Sequence, residues 1–180
     1  LFNQYSEESS DKRAGVSGSI NFRGIEGLEI AAVAGIDYVL SEKLGITPPM
    51  AYSEITSGVP ERERGKLTKD KNTTMNLSSN VRVTYNRAFG KHDLTLGANF
   101  DFYSDHYDNL GITGYGLTKK MQSASGVNQS IEGNRKPSFT SKNEKTAQLG
   151  IGVLAGYSWN NIYDLFGTYK SDASSILPSD

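Results

Sequence analysis

The sequence predicts an all-β fold: a segment of an antiparallel transmembrane β-barrel, with about six strands in three hairpins. Short turns at one end would be periplasmic, and long loops at the other extracellular. Three observations carry this expectation. Apolar and polar residues alternate with period two along six stretches, the signature of a strand with two different faces. The connections within each pair of stretches are short, whereas those between pairs, about 42–73 and 107–145, are long. Loops of that length are uncommon in compact soluble domains, while short turns on one side and long loops on the other are the rule in outer-membrane barrels.

From Arg13, Val16, Gly18, Ile20 and Phe22 alternate with Ser17, Ser19, Asn21 and Arg23. After Gly24-Ile25-Glu26-Gly27, where glycine permits positive φ, Leu28, Ile30, Ala32, Ala34, Ile36, Tyr38 and Leu40 share one face, none of them charged. The opposite face, Glu29, Ala31, Val33, Gly35, Asp37, Val39 and Ser41, is mixed and small. Residues 42–73 lose the alternation and carry Pro48-Pro49, Pro60, Glu61-Arg62-Glu63-Arg64 and Lys69-Asp70-Lys71, which predicts a solvated loop.

The second hairpin sets Met75, Leu77, Val81, Val83 and Tyr85 against Asn76, Ser78, Asn80, Arg82 and Thr84. Past a turn around Gly90-Lys91-His92-Asp93, Leu94, Leu96, Ala98, Phe100 and Phe102 face away from Thr95, Gly97, Asn99 and Asp101. A second loop rich in Gly, Ser, Asn and Lys leads to Leu149, Ile151, Val153, Ala155, Tyr157 and Trp159. The turn Asn160-Asn161 suits a two-residue hairpin because asparagine tolerates left-handed geometry, and Ile162 to Ser171 returns. Stretches of this length suffice for a tilted strand to cross the hydrocarbon layer, which takes about nine to eleven residues.

Aromatic residues gather where two membrane interfaces would lie. Phe22, Tyr85, Phe89, Tyr157, Trp159 and Tyr163 sit near the short turns, and Tyr38, Phe100, Phe102, Tyr103 and Tyr107 near the long loops. A secreted or surface β-sandwich that binds a ligand without transport is the alternative architecture. Mean hydropathy of -0.49 does not separate the two, because a membrane barrel immerses only alternate side chains in lipid.

Of 180 residues, 36% are hydrophobic and 22% charged, and 19 basic against 20 acidic residues leave a net charge of -1. That balance has no electrostatic footprint for nucleic acid. With no cysteine, disulfides, thiolate metal sites and cysteine nucleophiles are excluded. The chain opens on Leu1-Phe2-Asn3-Gln4 and closes on Pro178-Ser179-Asp180 in mid-pattern, and it reads as a piece of something longer. Six strands cannot close a membrane barrel, whose smallest form has about eight, so further strands must cover the edges.

No motif of catalysis appears, and the chain is expected not to be an enzyme. Gly150, Gly152 and Gly156 lack dinucleotide-fingerprint spacing and instead fall on one strand face, where small residues let a neighbour approach. Gly65-Lys66 is followed by Leu67 and lacks the spacing of a phosphate loop. Glu61 and Glu63 lie in a flexible charged loop rather than across a cleft. Asp101, Asp105, His106 and Asp108 match no Ca²⁺ loop and read as hydrated rim residues, so no metal and no cofactor is expected. Tyr52, Tyr107 and Tyr115, in or beside the long loops, are candidate ligand contacts that stack on sugar rings or touch a peptide; packing within the loops is the other reading. Asn21, Arg23, Asn80, Arg82 and Asn99 are the polar residues expected to face a barrel lumen.

Two stretches resemble the SusC/RagA family of TonB-dependent outer-membrane transporters. Ser19-Ile20-Asn21-Phe22, Gly27-Leu28-Glu29-Ile30 and Gly35-Ile36-Asp37-Tyr38 are similar to a recurrent hairpin of that family. Tyr163 to Ser175 resembles its aromatic-rich strand running into a basic residue and Asp-Gly-Ser-Ser, with Lys170, Asp172, Ser174 and Ser175 matching and Ala173 standing where glycine is usual. The resemblance implies that residues 1–180 are part of a single outer-membrane β-barrel domain whose plug and remaining strands lie elsewhere. It also implies import of glycan oligosaccharides or peptides across a bacterial outer membrane. The partners it implies are a SusD-like surface lipoprotein, TonB through the plug, and outer-membrane lipid.

Overall fold

The computed structural model describes residues 5–120 and 122–178, the last three by backbone alone. The chain ends on which the expectation of a longer protein rests, Leu1–Gln4 and Ser179-Asp180, lie outside the described residues. Six strands dominate: β1 (Ser6–Ile25), β2 (Leu28–Thr47), β3 (Lys66–Phe89), β4 (His92–Tyr115), β5 (Ser138–Trp159) and β6 (Tyr163–Pro178). They form one sheet in the order β1-β2-β3-β4-β5-β6, so each strand pairs with its neighbours in sequence. The all-β barrel-segment class read from the alternation is the observed one. The β-sandwich alternative requires two facing sheets, and the described residues form one.

The strands are longer than the alternation indicated, at 20, 20, 24, 24, 22 and 16 residues in order. As a result the two long connections shrink from 42–73 and 107–145 to 48–65 and 116–137. The difference has a physical reason. Period two in hydropathy reports one apolar face, and stretches such as Thr68-Lys69-Asp70-Lys71-Asn72 are polar on both faces while their backbone still pairs. Pairing is set by ladder hydrogen bonds, which do not depend on side-chain polarity.

The hairpin turns are tight. Glu26-Gly27 and Gly90-Lys91 join their strands, with Gly27 at φ 79° and Gly90 at φ 65°. Asn160 and Asn161 adopt φ 55° and 54°, and the Ile162 N–H donates to the Trp159 carbonyl at 3.0 Å. Positive φ at both central residues is what a type I′ hairpin turn requires, and its twist matches that of the strands it joins.

The chain folds into two compact units; β1 to β5 contribute residues to both, and β6 to the second alone. One comprises the chain up to Arg13, Val39–Thr74 and Tyr107–Asn143; the other comprises Ala14–Tyr38, Met75–His106 and the chain from Glu144. The first unit holds the small buried core, Ala51, Leu67, Leu117 and Ile131, together with the buried carboxylate of Glu54. In the second unit the large apolar side chains remain at the surface, among them Ile20 at 73% and Leu165 at 74% exposure.

Candidate functional site

Register separates the two faces of the second unit. In the β5–β6 ladder Ile151 pairs with Ser171, Val153 with Tyr169, Ala155 with Gly167, Tyr157 with Leu165 and Trp159 with Tyr163. Directly paired residues share a face, so most apolar side chains of the two strands fall on one side, with Leu154 and Phe166 on the other. The other side carries Gln148 with Ser174, Gly150 with Asp172 and Gly152 with Lys170. An aromatic group marks the short-turn end: Trp159 stacks on Tyr163 with centroids 5.9 Å apart, and Phe89 stacks on His92 at 5.4 Å. His92 Nδ1 is 2.5 Å from the Tyr157 hydroxyl.

The polar face is a network. Asn80 Nδ2 donates to Asp101 Oδ1 at 2.5 Å and Asn99 Nδ2 to Asp101 Oδ2 at 2.9 Å, so both oxygens of one carboxylate are engaged from two strands. Arg23 Nη2 donates to Glu29 Oε1 at 2.6 Å, and Asn21 Nδ2 reaches the same oxygen at 3.2 Å. Four of the five residues expected to line a lumen therefore join two carboxylate-centred clusters. The acceptors Glu29 and Asp101 were legible as members of the same face, but their pairing across strands needs the register.

Glycines make room for this network. A Cβ on Gly152 would collide with the Asn99 amide, and one on Gly150 would lie 2.7 Å from Asp172 Oδ1 and 3.4 Å from Asp101 Cβ. The small residues of β5 are where side chains of β4 and β6 lie across the face, which agrees with the close approach expected of them. Lys170 Nζ stands 3.1 Å from Asp172 Oδ1. Asp101, Asp105, His106 and Asp108 lie on β4 rather than in a loop, and alternation sends His106 and Asp108 to the face opposite Asp101 and Asp105.

In the first unit the connections 48–65 and 116–137 fold onto one ion pair. Glu54, on the short helix α1 (Tyr52–Thr56), receives Arg135 Nη1 at 2.6 Å and the Gly65 N–H at 3.0 Å, both on Oε2. Arg135 Nη1 also donates to the Glu63 carbonyl at 3.1 Å. Its guanidinium lies 5.2 Å from the centroid of the Tyr115 ring, with Lys66 Nζ at 6.0 Å from the same centroid. Gly116, at φ 74°, donates its N–H to the Gly65 carbonyl at 3.1 Å. Sequence reasoning missed the Glu54–Arg135 pair, because nothing in spacing marks two charges on separate loops as partners.

The three candidate tyrosines have different surroundings. Tyr115 presents its ring to the two cations. Tyr107 donates its hydroxyl to Asn72 Oδ1 at 3.4 Å, and Asn109 Nδ2 donates to the same oxygen. Tyr52 stands at the start of α1, 70% exposed. Elsewhere in this unit Tyr5 donates to Glu7 Oε2 at 2.5 Å, a bond that holds the phenol above its ordinary pKa. Lys43 Nζ pairs with Glu7 Oε1 at 2.8 Å.

A six-stranded antiparallel meander with one mainly apolar and one mainly polar face defines the class: the wall of a β-barrel. Among solved structures, the chain is similar to the RagAB peptide transporter, with a TM-score of 0.76 at 19% identity over 95% of this chain. It is also similar to the RagAB peptide importer in its closed-closed state, with a TM-score of 0.77 at 20% identity, and in its open-open state, with 0.76 at 20%, each over 96% of this chain. The chain spans 18% of the length of each of these proteins, and at such identities the likeness is one of fold. No protein-family model matches the sequence, and no curated protein does.

Proposed function

We propose that the chain forms part of the wall of a bacterial outer-membrane barrel that imports nutrients, in the manner of a SusC-like TonB-dependent transporter, and that it performs no catalysis itself. The observation that carries the reading is the register of β5 and β6, which gathers Ile151, Val153, Tyr157, Trp159, Tyr163, Leu165 and Tyr169 on one exposed face while Asp172 and Lys170 take the other. A face of that kind is stable in lipid, and a network of carboxylates and amides is stable against water or a plug. In this reading the alternating stretches of the second unit cross the membrane.

The fold likeness to a peptide importer supports peptides as the cargo, with glycan oligosaccharides as the other class that the family resemblance implies. The partners, a SusD-like lipoprotein and TonB acting through a plug, rest on that resemblance. Tyr52, Tyr107 and Tyr115 are proposed as contacts for cargo on the loop side. The test begins with the native polypeptide that carries this sequence. It is expected in detergent-extracted outer-membrane fractions at several times 19.6 kDa, and, in proteoliposomes, it should admit peptides when energised. A water-soluble species of about this size would overturn the reading.

A further inference from the structure

The connections 48–65 and 116–137 enclose a cleft of about 850 Å³ within the first unit. Its charged lining is mainly basic: Arg62 and Arg64 from one connection and Lys119 and Lys120 from the other, against the carboxylate of Glu61, with Arg62 Nε also 3.4 Å from Glu63 Oε1. We propose that this cleft binds acidic peptides, taking carboxylate side chains between the two basic pairs. The peptide part of the proposal rests on the importer reading; the preference for negative charge rests on the cleft alone.

Three features favour this ligand. Guanidinium groups match carboxylates bidentately, while lysines add mobile point charges, so the pairs suit carboxylates spaced along a chain. Arg64 is already positioned, because its Nε donates to the Val59 carbonyl at 2.9 Å, and a guanidinium has further N–H donors for a ligand. Met50, 41% exposed, lines the same cleft and gives apolar contact to the peptide between its charges, with Pro49 and Leu117 buried in the wall behind it. The volume lies within the range of about 300–1,000 Å³ typical of ligand sites.

The walls are built rather than loose. Leu117 is 3% exposed. Backbone bonds run from Gly116 N–H to the Gly65 carbonyl at 3.1 Å and from Asn128 N–H to the Tyr115 carbonyl at 2.9 Å. The Glu54–Arg135 pair ties one connection to the other at 2.6 Å. A cleft ordered before binding spares the ligand the entropy of ordering it.

The test uses the full native polypeptide in detergent and two fluorescein-labelled probes of equal length, an Asp-Ser repeat and a Lys-Ser repeat, followed by anisotropy. The Asp-Ser peptide should bind more tightly, with an affinity that falls as salt rises. Lys119→Glu with Lys120→Glu should weaken it about tenfold, or roughly 1.4 kcal/mol, and strengthen the Lys-Ser peptide. The milder Lys119→Ala with Lys120→Ala should weaken it less, in the same direction. Unchanged preference in both variants, with peptide binding or uptake otherwise intact, would overturn the cleft and leave the importer reading standing. No binding or uptake of either peptide by the native protein would overturn both.

Discussion

Glu54 and Arg135 lie 81 residues apart in sequence and 2.6 Å apart in space, and their pairing organises the two long connections of the first unit. The Glu54 side chain is 9% exposed and that of Arg135 21%. A carboxylate so placed is stable only while its partner and the Gly65 N–H hold it, since a lone buried charge is costly.

Arg135→Ala is therefore expected to destabilise this region by about 3 kcal/mol, the cost of leaving one member of a buried pair alone. Hydrogen exchange should report it as lost protection in 48–65 and 116–137. The double variant Glu54→Gln with Arg135→Met, which removes both charges, should recover part of that loss. If the single variant retains full protection, the pair does not organise these connections.

The hairpin turns predict a graded series. Asn161→Gly should be neutral or slightly stabilising, because glycine adopts φ 54° freely. Asn161→Val should cost about 1–2 kcal/mol, since a β-branched residue resists left-handed geometry. Gly27→Ala should cost at least as much, because its Cβ would also run into the Asn86 carbonyl oxygen, a backbone atom that accepts no easy shift. Equal chemical denaturation midpoints for the three variants would contradict this ranking.

On the polar face, Gly152 and Asn99 should be coupled. Gly152→Ala forces the Asn99 amide away from its bond to Asp101, and overpacking of this kind costs about 1–3 kcal/mol. Asn99→Ala vacates the space, so the double variant should be less destabilised than the two single losses added together. Strict additivity in the cycle would show that the two side chains do not compete for one position.

The apolar face predicts a contrast in assembly. Ile151→Arg or Val153→Arg should cost about 2–4 kcal/mol if those positions meet lipid at mid-membrane. Gln148→Lys, on the opposite face of the same strand, should assemble at the normal level. The readout is the yield of heat-modifiable folded barrel in outer-membrane fractions, and normal yields for the arginine variants would overturn the face assignment.

Much of this architecture was legible residue by residue. The alternation of Val16, Gly18, Ile20 and Phe22 with Ser17, Ser19, Asn21 and Arg23 placed β1 and its faces, and Asn160-Asn161 marked the turn between β5 and β6 through the tolerance of asparagine for positive φ. The ends of the strands were not legible. Where Lys69, Asp70 and Lys71 leave both faces polar, hydropathy carries no period, although the backbone goes on pairing. The loop-side site was the least legible, because Glu54, Arg135 and Tyr115 stand on three separate elements and meet only once the connections fold.

By itself, then, the sequence determined the all-β class, the sense of each face and the positions of the hairpin turns. Each of these follows from local rules, the alternation of side chains along a strand and the φ preferences of glycine and asparagine. Only the tertiary structure decided which carboxylate each amide and guanidinium engages, how far the strands extend, and that two charged connections close around one ion pair. Those outcomes depend on strand register and on contacts between residues remote in sequence, and hydrogen bonds and ion pairs select partners by distance in space.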